Sequence, residues 1–99
     1  GANLFSAIGS ADGVKAMGKT GEIKVVAFDA PTRIVDDLKS GLVDLAIAQH
    51  PAEIGYMGVM VAYGHVTGNP VPVSVGTGFT VMTADNIDDP DISKYVYSD

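Results

Sequence analysis

The chain has 99 residues, 46% hydrophobic and 18% charged, which allows one small domain with a thin core and excludes a disordered, highly charged segment. Twelve acidic residues against six basic ones give a net charge of −6; a phosphate-binding surface needs clustered Lys and Arg, so nucleic acid is not an expected partner. No apolar run approaches the ~18 residues of a spanning helix and no signal-peptide pattern opens the chain. The absence of Cys removes disulfide and thiolate chemistry and leaves the compartment open.

Leu4, Ala7, Ile8, Ala11, Val14 and Met17 keep one helical face apolar up to Gly18, which reads as a stop. Asn3 stands where its side-chain oxygen can cap that helix. Ile23 to Phe28 is a β-branched run of strand length ending at Asp29. Ala30-Pro31-Thr32 then turns the chain into a short helix whose apolar stripe is Ile34, Val35 and Leu38, with Arg33, Asp36, Asp37 and Lys39 opposite and Gly41 at its end.

Leu45 to Gln49 is a second buried strand, and His50-Pro51 breaks it and starts a helix reaching Thr67. That helix is apolar on nearly every side, so both faces need cover. Gly68-Asn69-Pro70 ends it. Val71, Val73 and Val75, then Phe79 and Val81, alternate as two extended segments around Gly76-Thr77-Gly78. Asp85 to Pro90 is a turn leading to a short helical or irregular tail through Tyr95 and Tyr97.

Strands alternating with helices predict an α/β fold with a Rossmann-like parallel sheet, flanking helices, and ligands beyond the carboxyl ends of the strands. The two clearest strands end in Asp29 and Gln49, and Asn3 would stand at the end of a preceding strand that this chain lacks. The start of the chain therefore reads as cut, leaving a sheet edge and a helix face that favour self-association. A carboxylate accepts from two hydroxyls and an amide both donates and accepts, so Asn3, Asp29 and Gln49 would form a polyol clamp. Local sequence also allows a plainer reading, with Asp29 capping the next helix and Gln49 satisfying backbone.

No catalytic residue is expected. His50 could be imagined as a base oriented by Asp29, but no Ser or Cys elbow accompanies it. His65 reads as a helix-end residue, since no partners stand at ligand spacing. Gly76-Thr77-Gly78 lacks a third glycine and leads into a strand, which fails the dinucleotide fingerprint. Asp85, Asp88, Asp89 and Asp91 lack the central Gly and terminal Glu of a calcium loop, so neither metal nor cofactor is expected. Tyr95 and Tyr97 are expected to dock the tail by their ring faces.

Taken in order, these residues resemble the C-terminal part of a type I periplasmic sugar-binding protein of the ribose-binding kind, which serves an ABC importer. The resemblance rests on Asn3 with Ala7 and Gly9, on Val25-Val26-Ala27-Phe28-Asp29, on Gly41 and Ala48-Gln49, on Pro51, Gly55 and Gly68, and on Asn86-Ile87-Asp88-Asp89-Pro90. It implies a two-lobed fold of which this chain is an incomplete part, with 1–49 and 79–99 in the C-terminal lobe and 50–78 in the N-terminal lobe. It also implies that Asn3, Asp29 and Gln49 hydrogen-bond a monosaccharide, that an ABC permease receives it, and that the protein works in the periplasm or outside the cell, a cell-surface lipoprotein included. Leu4 replaces an Asp common in the family, and His50 an Asp or Asn. The alternative is the effector-binding domain of a sugar-responsive LacI-type transcription repressor. A fragment that completes neither lobe is expected to self-associate or swap.

Overall fold

In a computed structural model that describes residues 1–97, the elements run α1 (Leu4–Ala16), β1 (Val26–Phe28), α2 (Thr32–Lys39), β2 (Leu45–Gln49), α3 (Pro51–Val66), β3 (Phe79–Met82) and α4 (Pro90–Ser93). Residues 98 and 99, the end of the segment 79–99 assigned above to one lobe, lie outside the described residues.

Helix α1 opens with a reciprocal cap: Ser6 N donates to Asn3 Oδ1 at 3.0 Å and Asn3 N donates to Ser6 Oγ at 3.1 Å. Its expected apolar face is real, with Ala7 and Ala11 fully buried and Leu4, Ile8 and Val14 packed around them, while Met17 is exposed. Helix α2 buries Ile34 and Leu38 completely. Asp37 departs from the polar face read in the sequence and is buried. Arg33 makes this tolerable, because its Nε donates to Asp37 Oδ2 at 2.8 Å while its Nη2 reaches Asp12 of α1 at 2.7 Å. Asp37 first and Asp12 second raise the Arg33 pKa above its usual value.

The end of α2 is closed by a left-handed Gly41, φ 77°. Leu42 N donates to Asp37 O at 2.9 Å and Gly41 N donates to Leu38 O at 3.1 Å, satisfying carbonyls the helix leaves open. The same closure ends α1 and α3. Gly41→Ala should therefore cost about 1 kcal/mol in a urea melt, because a Cβ is strained at that φ.

Strands β1 and β2 are parallel, with Ala27 opposite Ala46 and Phe28 opposite Ile47, as expected for strands joined through a helix. Strand β3 runs antiparallel to β2, with Gln49 opposite Phe79 and Ala46 opposite Met82, so the sheet is mixed. The cause is geometric: the chain leaves β2 at Gln49 through α3 and comes back at that same end, so its next strand must run the other way. Val71, Val73 and Val75 alternate as a strand would, yet form none. Alternation without a neighbouring backbone to pair with does not make a ladder; Val71 lies against α3 instead, where a Cβ on Gly64 would come within 2.9 Å of its Cγ1.

The core comprises Ala27, Ala46, Ala48 and Met82 of the sheet, Ala7 and Ala11 of α1, Ile34 and Leu38 of α2, and the flanking Val25, Ala30, Leu42, Val43 and Ile87. None of it comes from 50–78. Helix α3 has no buried residue, and Tyr56, Val59, Met60, Tyr63 and Val66 are exposed along it, in a molecule measuring 57 × 26 × 20 Å.

Before β2, Asp44 Oδ1 accepts from Lys24 Nζ at 2.8 Å and Oδ2 accepts from Val25 N at 2.9 Å. These bonds, Lys24 first, hold its carboxyl below the usual carboxylate value. A lowered folded pKa contributes stability that is present above the unfolded value of about 3.9 and is lost as pH falls through the folded one. Asp44→Asn should thus be less stable than the parent at neutral pH, with urea midpoints that converge as the pH drops below about 4.

Candidate functional site

Parallel pairing brings the carboxyl ends of β1 and β2 together, and Asp29 and Gln49 follow from it. Gln49 Nε2 donates to Asp29 Oδ1 at 2.8 Å, and Asp29 N donates to Ile47 O at 2.9 Å. Both residues are half-buried. Asp29 has a φ of 83°, the left-handed region that Asp enters more readily than most residues. Its plainer reading as a helix cap is not met, because α2 is preceded by Pro31 with no side-chain cap bond.

Gly1 extends the same end of the sheet. Gly1 N donates to Val26 O at 2.6 Å and Phe28 N donates to Gly1 O at 3.1 Å, the pattern of a parallel neighbour with Gly1 opposite Ala27. The ladder stops there: Asn3 N donates to Ser6 Oγ, Ala7 N donates to Asn3 O, and Ala30 N donates to the Tyr97 hydroxyl, so Asn3, which is exposed, caps α1 rather than pairing with Asp29. Asn3 Oδ1 serves the α1 cap, while its amide Nδ2 carries the donors. The structure thus brings Asp29 and Gln49 together, one carboxylate and one amide at adjacent strand ends, a donor and acceptor set suited to hydroxyls in pairs.

Residues that sequence reading missed lie beside this set. Phe28, Ile47, Gln49, Gly78 and Phe79 line a recess of about 300 Å³. Phe79 flanks Gln49 only because of the antiparallel register of β3, which no local signal in the sequence specifies.

The other polar residues have different partners. His50 Nε2 lies 2.8 Å from Thr80 Oγ1 and Nδ1 lies 3.3 Å from Glu53 Oε2, so it is not aligned by Asp29. Its ring stacks on Tyr95 with centroids 3.9 Å apart and planes at 11°, and this ring contact docks the tail. Tyr97 uses its hydroxyl as well, accepting from Ala30 N at 3.2 Å. His65 is exposed in the last turn of α3. Asp88 pairs with Lys39, Asp89 caps α4, and Asp91 accepts from Lys94 at 3.1 Å, which raises the Lys94 pKa. Among the described residues no group of three or more His, Cys, Asp or Glu could hold a metal ion, and no helix is long and apolar enough to cross a membrane.

No curated protein sequence matches the chain. Solved structures do. A solute-binding protein of an ABC transporter from Agrobacterium vitis, bound with alpha-D-tagatopyranose, is 59% identical with a TM-score of 0.91, over 98% of this chain and 33% of that one. A second ABC transporter solute-binding protein from the same organism, with bound D-fucose, is 29% identical with a TM-score of 0.86, over 98% of this chain and 33% of its own. A protein from Brachyspira murdochii described as an ABC transporter, LacI family transcriptional regulator, is 32% identical with a TM-score of 0.70, over 76% of this chain and 23% of that one. The chain thus spans 33% of the length of the first two. Residues 1–70 match the family described as "Periplasmic binding protein domain", and with its fold shared across 98% of its length the chain belongs to that family.

Proposed function

We propose that this chain is one part of a two-lobed protein that binds a monosaccharide without chemistry and delivers it to an ABC permease, in the periplasm or outside the cell, including as a cell-surface lipoprotein. The observation that carries the reading is the hydrogen-bonded Asp29–Gln49 pair at the ends of two parallel strands. Asp29 would accept from sugar hydroxyls through the oxygen that Gln49 leaves open, and Asn3 and Gln49 would donate and accept around it. A relative at 59% identity holds alpha-D-tagatopyranose, so a hexose in its pyranose form is the first candidate ligand.

The assignment of 1–49 and 79–99 to one lobe and 50–78 to the other is supported by the core, which includes residues before Gln49 and after Phe79 and none between. The exposed apolar length of α3 supports a covered location in the complete protein, or against a second copy of the isolated chain. The likeness to two ABC transporter solute-binding proteins over 98% of the chain, against 76% for the protein with the LacI family description, favours transport over the repressor alternative.

Titration calorimetry of the full-length protein carrying this chain, against D-tagatose, D-fucose and a panel of pentoses and hexoses, tests the reading. Saturable binding at about micromolar affinity is expected for at least one sugar. The absence of heat with every sugar, from folded protein, would refute it. A solution mass above that of a monomer is expected for the isolated chain.

A further inference from the structure

We infer that His50 is a positioning residue, an imidazole clasp that sets the orientation of α3 relative to the sheet. It stands at the point where the chain leaves the sheet, directly before Pro51. A residue there ordinarily turns its side chain onto the first turn of its own helix, yet His50 makes no such cap bond. Apart from Glu53, three residues on, its ring joins segments far apart in sequence. Nε2 contacts Thr80 Oγ1 at 2.8 Å, in the strand by which the chain comes back to the sheet, and the ring face lies 3.9 Å from that of Tyr95 in the tail. Nδ1 contacts Glu53 of α3 at 3.3 Å. The side chain is only 12% exposed.

The returning segment is shaped to this ring. Gly78 has a φ of 74°, and a Cβ there would come within 3.2 Å of His50 Nδ1. Both connections between the sheet and α3 therefore meet at one imidazole, and the tail packs on its face. Helix α3 has no buried residue, so few other contacts restrain its direction, and a node at its base has leverage over its whole length. The consequence for ligand capture rests on the two-lobed reading: 50–78 would move as a unit against the rest, and His50 would set the resting angle of that motion without touching the sugar.

The absence of Cys makes the test direct. Spin labels on Asp36→Cys in α2 and Ala62→Cys in α3, both at exposed positions, report the distance distribution between sheet and helix in the sugar-free full-length protein carrying this chain. One narrow distribution is expected for the parent, and its loss for His50→Ala and for Tyr95→Leu. Tyr95→Phe and Thr80→Ser keep the ring face and the hydroxyl and should restore the narrow distribution. Thr80→Val severs only the Nε2 contact at nearly constant volume and should broaden the distribution, so the clasp is read even where His50→Ala perturbs folding. An unchanged distribution in both His50→Ala and Thr80→Val would overturn the inference. The distances need no sugar, so a failure of the sugar-binding reading in calorimetry is separate from a failure here.

Discussion

Leu38→Ala should lower the unfolding free energy by about 2 to 5 kcal/mol, measured as a shift of the urea midpoint at constant slope. Leu38 is fully buried, and the sheet residues of the core are Ala27, Ala46, Ala48 and one larger side chain, Met82. Alanines offer no long side chains to move into the void, so the core volume rests on Ile34, Leu38, Val43 and Met82, and the site collapses poorly. A chain of this size has about 5 to 15 kcal/mol in total, so the loss is a large share of the whole. Leu38→Met conserves volume and should cost under about 1.5 kcal/mol. A loss for Leu38→Ala under about 1 kcal/mol would show that α2 does not carry the core.

Removal of the Asp29 side chain should have the largest effect on ligand capture. In the full-length protein Asp29→Ala should weaken sugar binding by about 1 to 3 kcal/mol, or roughly five- to 150-fold, and by more than the corresponding change at Asn3 or Gln49. It removes the acceptor proposed for the ligand and also strands Gln49 Nε2, which donates to Asp29 Oδ1 at 2.8 Å. Backbone conformation separates folding from binding at this position. Asp29 has a φ of 83°, which Gly adopts freely and Ala does not, so Asp29→Gly should be more stable than Asp29→Ala by about 1 kcal/mol. Both variants should lose affinity alike in calorimetry. Unchanged affinity in both would remove Asp29 from the site.

The helices were legible because their limits are local. Asn3 caps α1 through Ser6 three residues on, Pro51 opens α3, and Gly18, Gly41 and Gly68 have the positive φ that closes a helix. The burial of Asp37 was not legible: Arg33, four residues earlier on α2, is a local partner, but the packing that encloses the pair and brings Asp12 of α1 to Arg33 is not local. Valines 71, 73 and 75 show the converse error, a local pattern with no neighbouring strand to complete it.

The site divides in the same way. Asp29 and Gln49 could be nominated from strand ends alone, since side chains after buried parallel strands face the crevice where ligands collect. Their bond to each other and the meeting of His50 with Thr80 and Tyr95 depend on segments that are distant in sequence. By itself, the sequence determined the α/β class, the three long helices, the two parallel strands and the three candidate polar residues, because periodicity, caps and turn residues act over a few positions. Only the tertiary structure decided the antiparallel course of β3, the approach of Asp12 to Arg33 and the node at the base of α3. Those features depend on which segments meet across the sheet, and packing of the whole chain settles that.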